Sequence, residues 1–187
     1  MQSNTARKKL LFIGTGGTIA SELSEGALSP ALGAEQLLRL VPDVSRMCDA
    51  DAVQLFELDS TDIMPEHWTR IADEIIRRYD DYDGFVIAHG TDTMAYTASA
   101  LSYLIQNSRK PIVLTGAQKP IGFETTDSKQ NLSDSFLCAA SGMAGVLVVF
   151  GGQVLLGTRA RKTRSKSFSA FSSPNYPPLA TVQNGRM

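Results

Sequence analysis

Gly84–Met94 reads GFVIAHGTDTM, and the order of residue types in it decides the fold. Phe85-Val86-Ile87 is a short apolar run of the kind that forms a strand buried on both faces. His89-Gly90-Thr91-Asp92-Thr93 follows at once, and a helical pattern from Ala95 to Gln106 comes next. A strand that breaks into polar residues and then a helix presents those residues at its carboxyl end, where open α/β sheets bind ligands. Gly90 permits a sharp turn there. Thr91 and Asp92 offer a hydroxyl and a carboxylate side by side, and Thr93 is expected to cap the helix.

The flanking sequence repeats this arrangement. Lys9–Gly14 (KLLFIG) reads as a first buried strand and runs into Thr15-Gly16-Gly17-Thr18-Ile19-Ala20. Ser21–Gly33 is rich in Ser, Gly and Glu and reads as a mobile loop. Ala34–Leu40 is a short helix ended by Pro42. Ala52–Leu58 is a second strand, with Asp59-Ser60-Thr61-Asp62 at its end. Pro65 suits the first position of a helix. Trp68, Ile71, Ala72, Ile75 and Ile76 recur at helical spacing and make one apolar face. Pro111–Thr115 and Gly145–Phe150 are further buried strands. Between them Asp127 or Ser128 is placed to cap a helix with Leu132, Phe136 and Ala139 inward. Gly151-Gly152 turns the chain back along Gln153–Leu156 as a hairpin. Strands alternating with helices predict a three-layer α/β/α, Rossmann-like domain with a mostly parallel sheet.

The bulk numbers fit that class. The chain has 187 residues, is 43% hydrophobic and 20% charged, and carries a net charge of −1. That balance gives no electrostatic reason to expect nucleic acid or a membrane surface as partner. No apolar run approaches the ~20 residues of a membrane span. The polar start Met1–Lys9 and the short run Leu10–Ile13 do not make a signal peptide. Cys48 and Cys138 lack metal-type spacing, and free thiols in a reducing cytosol are expected.

Toward the end, Pro174–Pro178 (PNYPP) is irregular because prolines exclude a helix and a central strand. Leu179–Val182 reads as a strand, and Asn184-Gly185 is a type I′ hairpin signal with only Arg186 and Met187 after it. The expectation is a hairpin without its returning strand, in a chain cut before a second domain.

Polar residues thus gather at the ends of four predicted strands: Thr15 and Thr18, Ser60 to Asp62, Thr91 and Asp92, and Thr115 to Lys119. In a parallel sheet those ends share one edge. Any one cluster alone suits a turn and a helix cap as well as a site; their coincidence favours a site. Thr15-Gly16-Gly17-Thr18 has three readings. It is a tight turn, or a dinucleotide-binding turn, or a threonine nucleophile on a glycine hinge. The second fits poorly, because Ile19 holds the third glycine position of G-x-G-x-x-G and no strand ending in an acid follows at the required distance. A threonine nucleophile needs a base and donors for the oxyanion it creates. The basic run Gly157–Lys166 offers lysines for that role, and read alone it also suits a solvated loop.

TGGTIA at Thr15–Ala20 and HGTDTM at His89–Met94 together resemble the two signature motifs of the bacterial-type L-asparaginase/glutaminase family. Ser60-Thr61-Asp62, Thr115-Gly116-Ala117 and Arg161-Lys162 are similar to its other site segments, over a match from Lys9 to about Pro178. Tyr79–Asp83, Met94–Leu104 and Ser172–Pro178 look most like the cytoplasmic, type I branch. The resemblance implies an amidohydrolase that converts L-asparagine to L-aspartate and ammonia, leaves L-glutamine open as an alternative substrate, and uses no metal and no cofactor. It implies Thr18 as nucleophile. Thr91, Asp92 and Lys162 would form a second catalytic triad, with Lys162 as base. Ser60 and Thr61 would bind the substrate α-carboxylate and Asp92 its α-ammonium. Main-chain groups at Gly17, Gly90 and Thr91, with the Ala117 carbonyl, would surround the side-chain amide. Residues 1–178 would be the N-terminal catalytic domain and 179–187 the start of an interdomain linker, with the C-terminal domain absent. The full-length form would be a homodimer or homotetramer.

Two departures from the family pattern shape the expectations. The family usually carries a tyrosine in the loop after TGGT that activates the nucleophile, and Ser21–Gly33 has none; Ala27 or Leu28 falls in its place. Ser24 and Glu25 are the candidate substitutes. In the family a neighbouring protomer's C-terminal domain also completes the pocket. The expected outcome is a domain that folds but hydrolyses asparagine weakly or not at all. Two alternatives follow from a different class: a module that binds asparagine or aspartate without turnover, and a nucleotide-binding domain.

Overall fold

The computed structural model describes residues 7–24, 27–30 and 32–187. In chain order the strands are β1 (Lys9–Gly16), β2 (Ser21–Ser24), β3 (Ala27–Pro30), β4 (Asp49–Leu58), β5 (Gly84–Ala88), β6 (Pro111–Thr115), β7 (Gly145–Phe150), β8 (Gln153–Leu156), β9 (Arg161–Lys162), β10 (Phe171–Ser172) and β11 (Ala180–Thr181). The α-helices are α1 (Ala34–Arg39), α2 (Val44–Met47), α3 (Pro65–Arg77), α4 (Met94–Leu104) and α5 (Ser128–Ser141).

Seven strands form one sheet in the order β11-β8-β7-β6-β5-β1-β4. The pairs from β4 through β7 are parallel, while β8 and β11 add antiparallel at one edge. The apolar runs alternate between two cores. Leu10, Phe12, Val86 and Val113 pack with Leu132 and Phe136 of α5 on one face. Leu11, Ile13, Phe85 and Ile87 pack on the other face with α3 and α4, through Ile71, Ile75 and Leu101. Each such side chain contributes ~1.5–3 kcal/mol by leaving water. With both faces covered, the strands need no polar alternation, which is why they read as continuous runs. The three-layer α/β/α expectation holds, and Cys48 and Cys138 are free and buried.

Several local expectations change. Within Ser21–Gly33, β2 and β3 pair antiparallel from Ser21↔Pro30 to Ser24↔Ala27 rather than forming an irregular loop. Backbone pairing needs no apolar face, so a polar, glycine-containing stretch does not announce it. Ser24 lies on β2, and Glu25 falls outside the described residues, as does the start Met1–Ala6. On α3, Ile71, Ala72 and Ile75 are buried but Ile76 is 56% exposed. Eight residues on from Trp68 at 3.6 per turn overshoots the stripe by about 80°.

Thr93 and Asp127 precede α4 and α5 but neither caps with its side chain. Their backbones, at φ −114°, ψ 7° and φ −91°, ψ −8°, lack the extended geometry of a capping residue. Both side chains hold loops at the site instead. At the far end Asn184 and Gly185 have positive φ, as a type I′ turn requires, and Gln183 bridges to Arg186.

Candidate active site

The sheet brings the carboxyl ends of β1, β4, β5 and β6 to one edge, and glycines let their loops touch. A Cβ on Gly17 would sit 2.5 Å from the Gly90 Cα and N, and one on Gly90 would sit 2.6 Å from Ser60 Cβ and Oγ. Only residues without a side chain allow backbones this close. The TGGT, DST and HGT turns therefore stack against one another at Gly17, Ser60 and Gly90. Thr93 Oγ1 donates to the Ser60 carbonyl at 2.6 Å and ties two of the loops together. Asp59 Oδ1 accepts from the Thr61 N–H at 2.8 Å and from its hydroxyl at 2.7 Å. These two donors hold the Asp59 carboxyl below the usual carboxylate range.

Lys162 reaches this edge from the short β9–β10 hairpin, where it pairs with Phe171. Phe171 is buried and packs on Phe150, ring centroids 4.9 Å apart, which anchors the hairpin to β7. Lys162 Nζ donates to Thr91 Oγ1 at 2.7 Å and to Asp92 Oδ1 at 2.6 Å. Thr91 is buried. The Lys162 side chain is 15% exposed and that of Asp92 59% exposed, so the pair faces outward at Asp92. A cavity of about 680 Å³ lies beside it, lined by Asp92, Tyr96, Arg159, Arg161, Lys162 and Asn175 among others. A roomier one, about 820 Å³, is lined by Asp127, Asn131 and Asp134 and includes neither Asp92 nor Lys162. Convergence of reactive groups, rather than volume, therefore locates the site.

Thr18 opens a single 3₁₀ turn directly after Gly17, which has φ 82°. It is partly exposed, and its hydroxyl makes no hydrogen bond among the described residues. Thr15 and Thr115 of the same strand ends are spent on structure: their hydroxyls are buried and donate to the Ala88 and Val149 carbonyls. Ala117 is buried in the β6–α5 loop.

An asparaginase family profile, described as Asparaginase, N-terminal, matches residues 9–187. The chain belongs to the asparaginase family. An L-asparaginase from Thermococcus kodakarensis is 44% identical over 177 residues, covering 94% of this chain and 54% of that protein. A glutamyl-tRNA(Gln) amidotransferase polypeptide from Pyrococcus abyssi is 40% identical over 184 residues, covering 93% and 42%. A crystal structure of a probable cytoplasmic L-asparaginase from Campylobacter jejuni superimposes with a TM-score of 0.86 at 32% identity, over 96% of this chain and 55% of that one. The chain spans about half the length of the curated relatives it matches.

This asparaginase-family chain therefore brings Gly17 and Ser60 against Gly90, and Thr91, Asp92 and Lys162 against one another. Sequence reasoning missed the groups that hold these loops. Asp127 accepts from the Gln118 N–H at 2.9 and 3.0 Å and from the Lys119 N–H at 3.1 Å. Asn131 steadies that carboxylate and the Gly116 carbonyl, at 3.2 and 3.0 Å. Gln118 Nε2 then donates to the carbonyls of Ser165 and Ser167, across the hairpin that carries Lys162. Its Oε1 faces Thr91 Oγ1 at 3.5 Å. The only signal for these in the sequence is a polar residue at a loop or first helical turn, which ordinary turns share.

Proposed function

We propose that this domain carries the hydrolytic groups of an amidohydrolase acting on L-asparagine. The observation that carries the reading is the contact of Lys162 Nζ with both Thr91 Oγ1 and Asp92 Oδ1, at the edge where Gly17 and Gly90 abut. In this reading Ser60 and Thr61 hold the substrate α-carboxylate and Asp92 its α-ammonium. Thr18 Oγ attacks the side-chain amide carbon. The carbonyl oxygen gains charge and is met by main-chain N–H groups near Thr18 and Thr91, beside the Ala117 carbonyl. Collapse of the tetrahedral species breaks the C–N bond, and the nitrogen, which takes up the proton that the Thr18 hydroxyl gave up on attack, leaves as ammonia. Water then attacks the ester on Thr18 and releases L-aspartate. For this second step the Lys162 amine must be unprotonated, so that it takes the Thr91 hydroxyl proton as Thr91 accepts one from water, and a proton returns by the same route to Thr18 Oγ1 as the ester breaks.

The setting proposed is cytoplasmic, in line with the Campylobacter relative's name, and the acting form a homodimer or homotetramer completed by the relatives' further length. Among the described residues no helix is long and apolar enough to cross a membrane.

A second reading is favoured by one observation: Ser21–Gly33 contains no tyrosine. Without the family's usual activating phenol, the site would capture asparagine or aspartate without turnover. Calorimetry with L-aspartate beside an ammonia-release assay on L-asparagine separates the two. Ammonia release that Thr18→Ala removes supports hydrolysis; binding with no ammonia supports capture; neither would overturn both.

A further inference from the structure

His89 is fully buried directly after β5, next to Gly90, and takes no part in the proposed hydrolysis. Its ring is bonded at both nitrogens. Nδ1 lies 2.7 Å from the Gly90 carbonyl and Nε2 lies 2.9 Å from Thr97 Oγ1 on α4. Thr97 in turn accepts from Nε1 of Trp68 on α3, at 3.0 Å.

The two ends of this row, together with the charge on the ring, fix every proton in it. An indole N–H can only donate and a carbonyl can only accept. Nδ1 must therefore carry a proton to meet Gly90. Burial pushes the imidazole down to about 4, so at neutral pH the ring carries one proton and Nε2 is bare. Thr97 receives from Trp68 and spends its own proton on Nε2. The row runs one way, from indole to hydroxyl to imidazole to main-chain carbonyl, with each donor matched.

The last member has a geometric consequence. The peptide joining Gly90 to Thr91 is trans, since no cis bond occurs among the described residues. In a trans peptide the C=O and N–H point in opposite directions. Holding the Gly90 carbonyl toward the buried ring turns the Thr91 N–H away from it. That N–H donates to nothing among the described residues, although Thr91 is buried. A buried peptide donor is rarely left without a partner.

We infer that Trp68, Thr97 and His89 are positioning residues: they lock the Gly90–Thr91 peptide so that the Thr91 N–H is aimed at the ligand oxygen that gains charge when a side-chain amide is attacked. The inference rests on the amidohydrolase reading for the identity of that oxygen. It does not rest on it for the proton order along the row.

Nitrogen-15 NMR of the chain tests both parts. Without ligand at pH 7, His89 is expected to show a protonated Nδ1 and a bare Nε2; the reverse tautomer would overturn the relay. With saturating L-aspartate, the Thr91 amide proton is expected to shift downfield, alongside shifts at Ser60 and Thr61. Thr97→Val keeps the shape but removes the hydroxyl, and should abolish the Thr91 shift while leaving those at Ser60 and Thr61. Thr97→Ser should restore it. For amide hydrolysis, Thr97→Val should lower kcat by about 10-fold or more with KM within about twofold, since outright loss of one oxyanion donor costs ~10²–10³ in kcat. If Thr97→Val does not fold, Trp68→Phe opens the outer end of the row and should weaken the Thr91 shift. A Thr91 shift unchanged in these variants overturns the relay alone. Aspartate that perturbs none of the three amides overturns the functional reading, and the tautomer then decides the relay.

Discussion

Thr93 Oγ1 donates a 2.6 Å hydrogen bond to the main-chain carbonyl of Ser60, joining two loops 33 residues apart. The hydroxyl that local sequence assigns to a helix cap is a tether between two loops of the candidate site. Thr93→Val, which keeps the shape, should cost about 1–2 kcal/mol of stability by leaving that carbonyl unmatched. It should also weaken L-aspartate binding, while Thr93→Ser retains both. Urea denaturation and calorimetry check the pair; unchanged affinity in Thr93→Val would refute the tether's role in binding.

Close approach at Gly17 gives a sharper contrast. An alanine there would meet Gly90 backbone at 2.5 Å and adopt φ 82°. Overpacking and positive φ each cost ~1–3 kcal/mol, so Gly17→Ala should lower stability by about 2 kcal/mol or more and abolish ligand binding. Gly122 has nothing within 4 Å of such a Cβ. Gly122→Ala should be neutral or stabilising by up to about 1 kcal/mol. Equal denaturation midpoints for the two variants would contradict the stacking of the loops.

Lys162→Met separates chemistry from folding. Its partner Asp92 is 59% exposed, so water takes over when the ammonium is lost. The stability change should stay under about 1 kcal/mol. Ammonia release from L-asparagine should fall by about 10²-fold or more, the usual scale for a positioned acid–base group. A loss of stability with activity intact would reverse the assignment.

His89 makes folding sensitive to acid in a defined window. Its folded pKa is lowered to about 4 by burial, against about 6.5 when unfolded. Between those values the unfolded chain binds a proton that the folded chain refuses. Stability from this group is therefore complete above pH 6.5 and is lost as pH falls toward 4, by about 3 kcal/mol in total. In His89→Gln the slope of unfolding free energy over that window should flatten. A slope identical to wild type would show that the ring is not buried neutral.

How much of this was legible follows from what leaves a pattern. Phe85-Val86-Ile87 and its sister runs are continuous because both sheet faces are covered, so the strands and the edge at their carboxyl ends could be read directly, while their order in the sheet could not. The TGGTIA and HGTDTM turns were legible as motifs, and Lys162 was legible only through family resemblance. Nothing periodic links Trp68 to Thr97, which are 29 residues apart, or Gln118 to Ser165, which are 47 apart. Such hydrogen bonds depend on how helices and loops dock after the sheet has formed. The same holds for Asp127, whose cap-like position concealed a role in holding loop amides.

The hairpin that delivers Lys162 has only two paired residues per strand, Phe171 with Lys162 and Ser172 with Arg161. Thr91 and Asp92, by contrast, follow a strand paired along its length with neighbours on both sides. The two halves of the lysine–hydroxyl contact thus belong to cooperative units of unequal strength. Regions with few buried contacts open at lower free energy than the core. On warming or in mild denaturant, the hairpin should exchange its amide hydrogens while the sheet remains protected. Loss of the Lys162–Thr91 contact should then precede loss of the fold, and any turnover that depends on it should fade with local rather than global unfolding.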